Sequence, residues 1–130
     1  MKRFGLVILA LLYALVASAE PIASFSAQAP ATYESGEAIA ADDTISYTVY
    51  CSIIQGGPYN YSFPAPNLNA GTQIDVSACV QGEPGTYYFV STASSSKYSS
   101  TSAYSNEASR TWTAEELGLV PNAPTLFTIQ

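Results

Sequence analysis

The sequence contains no histidine and few basic residues: four Lys and Arg stand against ten Asp and Glu in a chain of 130 residues. Nucleophilic catalysis by Ser-His or Cys-His pairs, and metal binding through imidazole, both need histidine and are therefore excluded. Binding to the phosphates of nucleic acid needs clustered Lys and Arg, so we expect no nucleic acid partner.

Carboxylates are the remaining catalytic candidates. The close sets are Glu34 with Glu37 and Asp42 with Asp43. A carboxylate pair can serve a glycosidase, and oxygen ligands suit calcium. Acidic loop residues of small domains are far more often solvated, and no spaced Asp-x-Asp pattern is present. We therefore expect no enzyme activity, no bound metal and no cofactor.

Long apolar runs are also scarce. The one clear run, Phe4 to Val16, has about 13 residues, whereas a membrane-spanning helix needs about 20. It follows Lys2 and Arg3 and precedes Ala17-Ser18-Ala19, the pattern of a cleavable signal peptide. We therefore predict a signal peptide over residues 1–19, an extracellular or periplasmic protein, and no membrane association after cleavage. An uncleaved anchor is the alternative.

The chain after residue 19 has the length of one ordinary domain. Its two basic residues against ten carboxylates give a net charge of −8. Such acidity favours solubility and repels anionic lipid.

Two cysteines, Cys51 and Cys79, remain after cleavage. An even number in an exported chain predicts a disulfide, whereas the same pair in the cytosol would more often stay reduced. Two cysteines without histidine cannot complete a common zinc site.

Three segments show the alternation of apolar and polar residues that predicts strands. They are "ISYTVYCS" at 45–52, "PYNYSF" at 58–63 and "TQIDVSACV" at 72–80. A fourth follows the turn signal Pro84-Gly85, where Tyr87 and Phe89 begin an alternating run. The serine-rich residues 94–102 lack periodicity and are predicted to be a mobile loop, and an extended segment follows to residue 112. Short strands with almost no helix signal predict an antiparallel two-sheet sandwich.

Four segments, "APATYESGEAI", "ISYTVY", "PGTYYFVSTA" and "SAYSNEAS", follow one another as in the fibronectin type III domain, an immunoglobulin-like sandwich. The chain resembles the small exported bacterial members of that family over residues 22–112, within a predicted domain of 20–112. The resemblance implies that Tyr87 is a corner tyrosine and that Tyr47, Val49 and Phe89 are core residues.

The resemblance also implies where the cysteines lie. Family topology brings Cys51 and Cys79 together at one end of the sandwich, across the two sheets. Cys79 has the opposite parity to Ile74 and Val76, so it faces inward only if a bulge intervenes.

The sequence departs from the family in three places. Ala27 stands where a tryptophan is usual, Ser91 stands where valine is preferred, and the first strand is missing. A missing first strand leaves a sheet edge unpaired, which proteins normally cover.

Residues 113–130 form a predicted C-terminal extension. Thr113 and Glu116 match a capping box and Gly118 a helix stop, so one helical turn is expected over 113–117. Leu126, Phe127 and Ile129 are predicted to form a strand beside residues 23–28. Its short tether favours addition to its own domain, and hence a monomer, over addition to a neighbour.

Surface tyrosines are the candidate binding residues. Tyr59 and Tyr61 would share one strand face, and Tyr98 and Tyr104 flank the serine-rich segment. They could stack on a sugar or a protein, or simply cover the sheet. We expect a secreted non-catalytic module for extracellular adhesion, assembly or protein interaction. The alternative is a carbohydrate-binding module that uses these tyrosines.

Overall fold

The computed structural model describes residues 20–65 and 71–125. The predicted signal peptide, residues 1–19, lies outside these ranges, as do Leu126, Phe127 and Ile129. Within the described residues, no helix has the length and apolar character needed to cross a bilayer.

The described chain is built almost entirely from β-strands. In chain order the elements are β1 (Ile22–Phe25), β2 (Ile45–Ser52), β3 (Tyr61–Ala65), β4 (Thr72–Asp75), α1 (Ser77–Val80), β5 (Gly85–Ser95), β6 (Ser100–Thr101) and β7 (Ala108–Trp112).

The strands form two antiparallel sheets. One sheet pairs β1 with β4, and the other has the order β3-β2-β5, with both β6 and β7 pairing with β5. The predicted all-β sandwich is therefore confirmed. The smaller sheet ends at β1, whose outer edge has no partner strand among residues 20–65 and 71–125.

The core lies between the sheets because alternate residues of β2 and β5 point to the same side. Val49, Cys51 and Phe89 are each at most 2% exposed, and Tyr47 packs on them from a partly buried position. Phe25 of the smaller sheet meets Phe89 edge-to-face, with ring centroids 5.4 Å apart. This contact joins the two sheets. Other buried members of the core are Ala23, Ala65, Ile74, Val76, Cys79, Val80, Tyr87 and Trp112.

The disulfide between Cys51 and Cys79 is present, as predicted. The strand expected over residues 72–80 ends earlier, at Asp75. The Asp75 carboxylate accepts a 2.9 Å hydrogen bond from the backbone N–H of Ser77, where the single turn α1 begins. This turn, rather than a bulge, resolves the parity problem and buries Cys79.

Tyr87 is buried at the start of β5. Its hydroxyl donates a shared hydrogen bond to the carbonyls of Glu83, at 2.7 Å, and Val80, at 2.9 Å. These bonds hold the segment that links the two sheets against the start of β5.

The loop expected over residues 94–102 is shorter than predicted and forms the turn of a β-hairpin. β5 continues to Ser95, a four-residue turn follows, and β6 begins at Ser100. After β6, serines replace regular pairing: the Ser102 and Ser105 hydroxyls accept hydrogen bonds from the backbone N–H groups of Ala93 and Ser91. The serine hydroxyls in this segment bond to the backbone of β5. A serine-rich composition therefore did not indicate an irregular loop over all of residues 94–102.

Residues 113–119 form a compact turn after β7. The backbone N–H of Leu117 bonds to the carbonyl of Thr113, and that of Leu119 bonds to the carbonyl of Ala114 at 2.8 Å. Gly118 has a φ of 68°, the left-handed conformation that ends a helical turn. Leu117 packs against the core, so this turn is fixed to the end of the sandwich where β7 stops.

Candidate functional site

Three tyrosines form a cluster on the outer face of the larger sheet. Tyr50 points outward from β2, opposite Ser62 and Val90 of the neighbouring strands. The Tyr104 ring packs edge-to-face on Tyr50, at 5.2 Å between centroids, and on Tyr59, at 5.3 Å. We call Tyr50, Tyr59 and Tyr104 the tyrosine cluster. Its most exposed member is Tyr104, at 54%.

Glu107 holds the tyrosine cluster in place. Its carboxylate accepts hydrogen bonds from the Tyr59 hydroxyl and from the backbone N–H of Gly56 at 2.8 Å. The bond to Glu107 raises the pKa of Tyr59 to about 12, with smaller contributions from burial and from the negative charge of Glu107. The Tyr59 hydroxyl therefore stays protonated, and the ring is fixed before any ligand arrives.

The four tyrosines chosen from the sequence do not form one surface. Tyr59 and Tyr104 are in contact, whereas Tyr61 pairs with Cys51 on the inner side of the larger sheet. Tyr98 lies in the β5–β6 turn and packs on Tyr33, with ring centroids 5.5 Å apart. Tyr59 and Tyr61 separate because β3 begins only at Tyr61, so Tyr59 does not follow the strand alternation.

Asp43 anchors the β5–β6 hairpin. Its carboxylate accepts hydrogen bonds from the hydroxyls of Ser95 (2.5 Å) and Tyr33 (2.8 Å) and from the backbone N–H of Lys97 (3.0 Å). These bonds, led by that from Ser95, lower the pKa of Asp43 to about 2. Because the Asp43 carboxylate accepts these structural hydrogen bonds, it is not available as a free acid or base.

The other acidic candidates are exposed. Asp42 is ion-paired with Lys97 at 2.8 Å, and Glu34 and Glu37 are exposed near the turn at Gly36. Among the described residues, no three acidic or thiol side chains lie close enough together to hold a metal ion.

A groove of about 460 Å³ opens along one side of the sandwich. Its floor is formed by inward residues of β2 and β5, including Val49, Phe89 and Ser91. One wall is residues 25–30, and the other is residues 102–108. We call this cavity the side groove. It runs between residues 25–30, which start at the last residue of β1, and the chain that links β6 to β7.

The side groove coincides with the departures noted in the sequence. Ala27 lies in one wall and Ser91 in the floor, where the family pattern would place larger side chains. A buried aromatic ring alone covers roughly 150 to 250 Å². Between these small residues, Phe25 at the end of β1 is only partly buried and lines the groove.

Sequence reasoning missed Tyr50, Glu107 and the side groove. The outward position of Tyr50 could have been predicted from the sequence, because Tyr50 alternates with the buried Val49 and Cys51 in β2. Glu107 carries no local signal, since its partner Tyr59 is 48 residues away in the sequence.

Comparisons of the chain with protein-family models, curated proteins and solved structures found no match in any of the three. The candidate sites therefore rest on their own geometry.

Proposed function

We propose that this chain is an exported, non-catalytic module of the fibronectin type III kind that acts in extracellular adhesion or assembly. It binds an extended protein segment along the side groove. The observation that carries this proposal is the groove itself, whose uncharged lining includes the partly exposed Phe25, Ala27 and Tyr47. It begins at the end of β1, whose outer edge has no partner strand among residues 20–65 and 71–125. An extended peptide suits such a site because main-chain bonds supply affinity and alternate side chains fill the floor.

Two further observations support an exported role. The Cys51–Cys79 disulfide fits an oxidising compartment. The apolar run at Phe4 to Val16 fits a signal peptide.

Selection from a displayed library of random peptides tests the proposal. The full chain is compared with Ala27→Trp, whose ring would occupy the side groove. We expect peptides with alternating apolar residues to bind the unmodified protein and to lose binding to the variant. Near-ultraviolet circular dichroism establishes that the variant keeps its packing. Selection of no peptide, or equal binding to both proteins, would contradict the proposal.

Carbohydrate binding at the tyrosine cluster is a second candidate. Tyr104 is more than half exposed, and Tyr50 and Tyr59 hold its ring from two sides, so little side-chain entropy remains to be lost on stacking with a sugar. A glycan array distinguishes the candidates. Binding that disappears with Tyr104→Ala but survives Tyr61→Ala would favour carbohydrate, because Tyr61 is equally exposed yet lies away from the cluster.

A further inference from the structure

We infer that the segment bound in the side groove is residues 121–130 of a second copy of this chain, so that copies join head to tail. The inference rests on the proposed function and names its partner. It follows from the chemistry of the groove, from the point where the chain leaves the sandwich, and from the direction in which β1 runs.

Groove and segment match in charge. The residues that line the side groove are all uncharged. Residues 119–130, "LVPNAPTLFTIQ", also carry no charge, although the chain has ten carboxylates. Copies as acidic as these repel one another, and an uncharged contact avoids adding to that repulsion. Phe127 and Ile129 are two residues apart, so an extended segment would present both to the apolar floor.

The chain leaves the sandwich at the end where β5 begins and β7 stops. Gly85 is paired with Trp112 there, and the turn of residues 113–119 is fixed beside them by Leu117. The side groove extends towards the opposite end, where Pro30 and Ser102 line it next to the β5–β6 hairpin. The exit of the tail and the far end of the groove are therefore at opposite ends of the domain.

The start of the tail does not lie along the groove of its own domain. Residues 121–125 are all exposed, lie in no strand and are not among the residues that line the side groove.

The direction of β1 also favours a tail from a second copy. β1 starts near the exit end, where the Arg110 guanidinium donates a hydrogen bond to the Ile22 carbonyl, and runs towards the hairpin end. A tail from a second copy would enter at the hairpin end and lie antiparallel to β1. All strand pairs in the described chain are antiparallel, the slightly more stable arrangement. The chain's own tail would lie parallel to β1. Because the donor and acceptor surfaces differ, such contacts join copies head to tail, into an open chain or a closed ring.

Sedimentation of the exported full chain over a range of concentrations tests the inference. We expect concentration-dependent species larger than a dimer. The donor variant Phe127→Asp with Ile129→Asp should weaken association at least about tenfold. The matched control, Thr128→Asp with Gln130→Asp, adds the same charge on the opposite face of an extended segment and should associate more strongly than the donor variant.

Mixing two blocked variants separates a second copy from the same chain. The acceptor variant Ala27→Trp and the donor variant should each be monomeric. Their mixture should form a one-to-one dimer and nothing larger, because one open groove and one intact tail remain. A monomeric unmodified protein, or two folded variants that fail to combine, would overturn the inference. Because the donor changes lie outside the described fold, their effect can be read even if Ala27→Trp does not fold.

The proposed function is tested separately by the peptide library. Selected peptides that need the groove but do not resemble residues 121–130, together with a monomeric protein, would reject self-assembly and leave the protein-binding module standing. Absence of any groove-dependent peptide together with a monomeric protein would reject both.

Discussion

The Ser95 hydroxyl donates a 2.5 Å hydrogen bond to the carboxylate of Asp43, which lies 52 residues earlier in the chain. The same carboxylate accepts a bond from the backbone N–H of Lys97 inside the turn. One acidic side chain before β2 therefore fixes the position of the β5–β6 hairpin.

Asp43→Asn is expected to loosen this hairpin. An amide oxygen accepts hydrogen bonds less strongly than a carboxylate, so the turn at residues 96–99 should exchange its amide hydrogens faster. The control is Asp42→Asn, which removes only the exposed ion pair with Lys97. Exchange that is unchanged in Asp43→Asn, or equally fast in both variants, would show that Asp43 is not the anchor.

Asp43 should also make stability sensitive to acid. Its pKa falls from 3.8 to about 2 on folding, chiefly because of the bond from Ser95. A lowered carboxyl pKa stabilises the fold above the unfolded value, and this contribution is lost as the pH falls from about 4 to about 2. The stability advantage of the unmodified protein over Asp43→Asn in urea unfolding should therefore shrink across that range. An advantage that is independent of pH would contradict the assignment.

The disulfide between Cys51 and Cys79 spans 28 residues. Closing a loop of this length stabilises a fold by roughly 3 to 4 kcal/mol in the chain-entropy treatment. The double variant Cys51→Ala with Cys79→Ala should therefore melt at a clearly lower temperature in calorimetry. If alkylation and mass spectrometry of the exported protein found two free thiols, the prediction would fail at its first step.

Tyr87→Phe tests the fastening of the corner. It removes the hydroxyl that bonds to the carbonyls of Glu83 and Val80 but keeps the buried ring. We expect a loss of about 0.5 to 1.5 kcal/mol, the net contribution of a typical hydrogen bond, because the Val80 carbonyl still accepts a bond from the backbone N–H of Glu83. The control Tyr88→Phe changes the neighbouring tyrosine on the outer side of β5. Equal losses in denaturant unfolding of the two variants would argue against a special role for Tyr87.

Strands that show an alternation of apolar and polar residues could be predicted from the sequence. Features that depend on contacts between distant residues could not. β2 was predictable over its full length because Val49 and Cys51 alternate with polar residues in a β-rich run. The hairpin was missed because its order depends on Asp43, far away in the sequence. The small residues Ala27 and Ser91 were recognisable in the sequence as gaps in the core. The groove itself could not be predicted, because its second wall depends on the path of residues 102–108 in three dimensions.

Arg110 of β7, in the larger sheet, contacts Ile22 of β1, in the smaller sheet. Its guanidinium lies 4.7 Å from the centre of the Trp112 ring, donates to the Ile22 carbonyl and is 3.4 Å from Glu116. Arg110→Lys should cost about 1 kcal/mol, because an ammonium group cannot stack as a plane while it donates to a carbonyl. Glu116→Gln is the control, since an exposed ion pair contributes little. A larger loss for Glu116→Gln in thermal unfolding would reverse this ranking.

Tyr59 should make the tyrosine cluster sensitive to alkali. Hydrogen bonding to Glu107 raises its pKa from 10.0 to about 12, so the bond stabilises the fold fully below pH 10 and is lost as the pH rises through 12. Ultraviolet titration of tyrosinate should show a late-ionising group that is absent in Tyr59→Phe. Glu107→Gln should bring that ionisation back towards pH 10, because the amide carries no charge to oppose the phenolate. Tyr87 also has a raised pKa, caused mainly by burial, so late ionisation at Tyr87 should survive Glu107→Gln. A titration curve that Glu107→Gln leaves unchanged would mean that Glu107 does not hold the cluster.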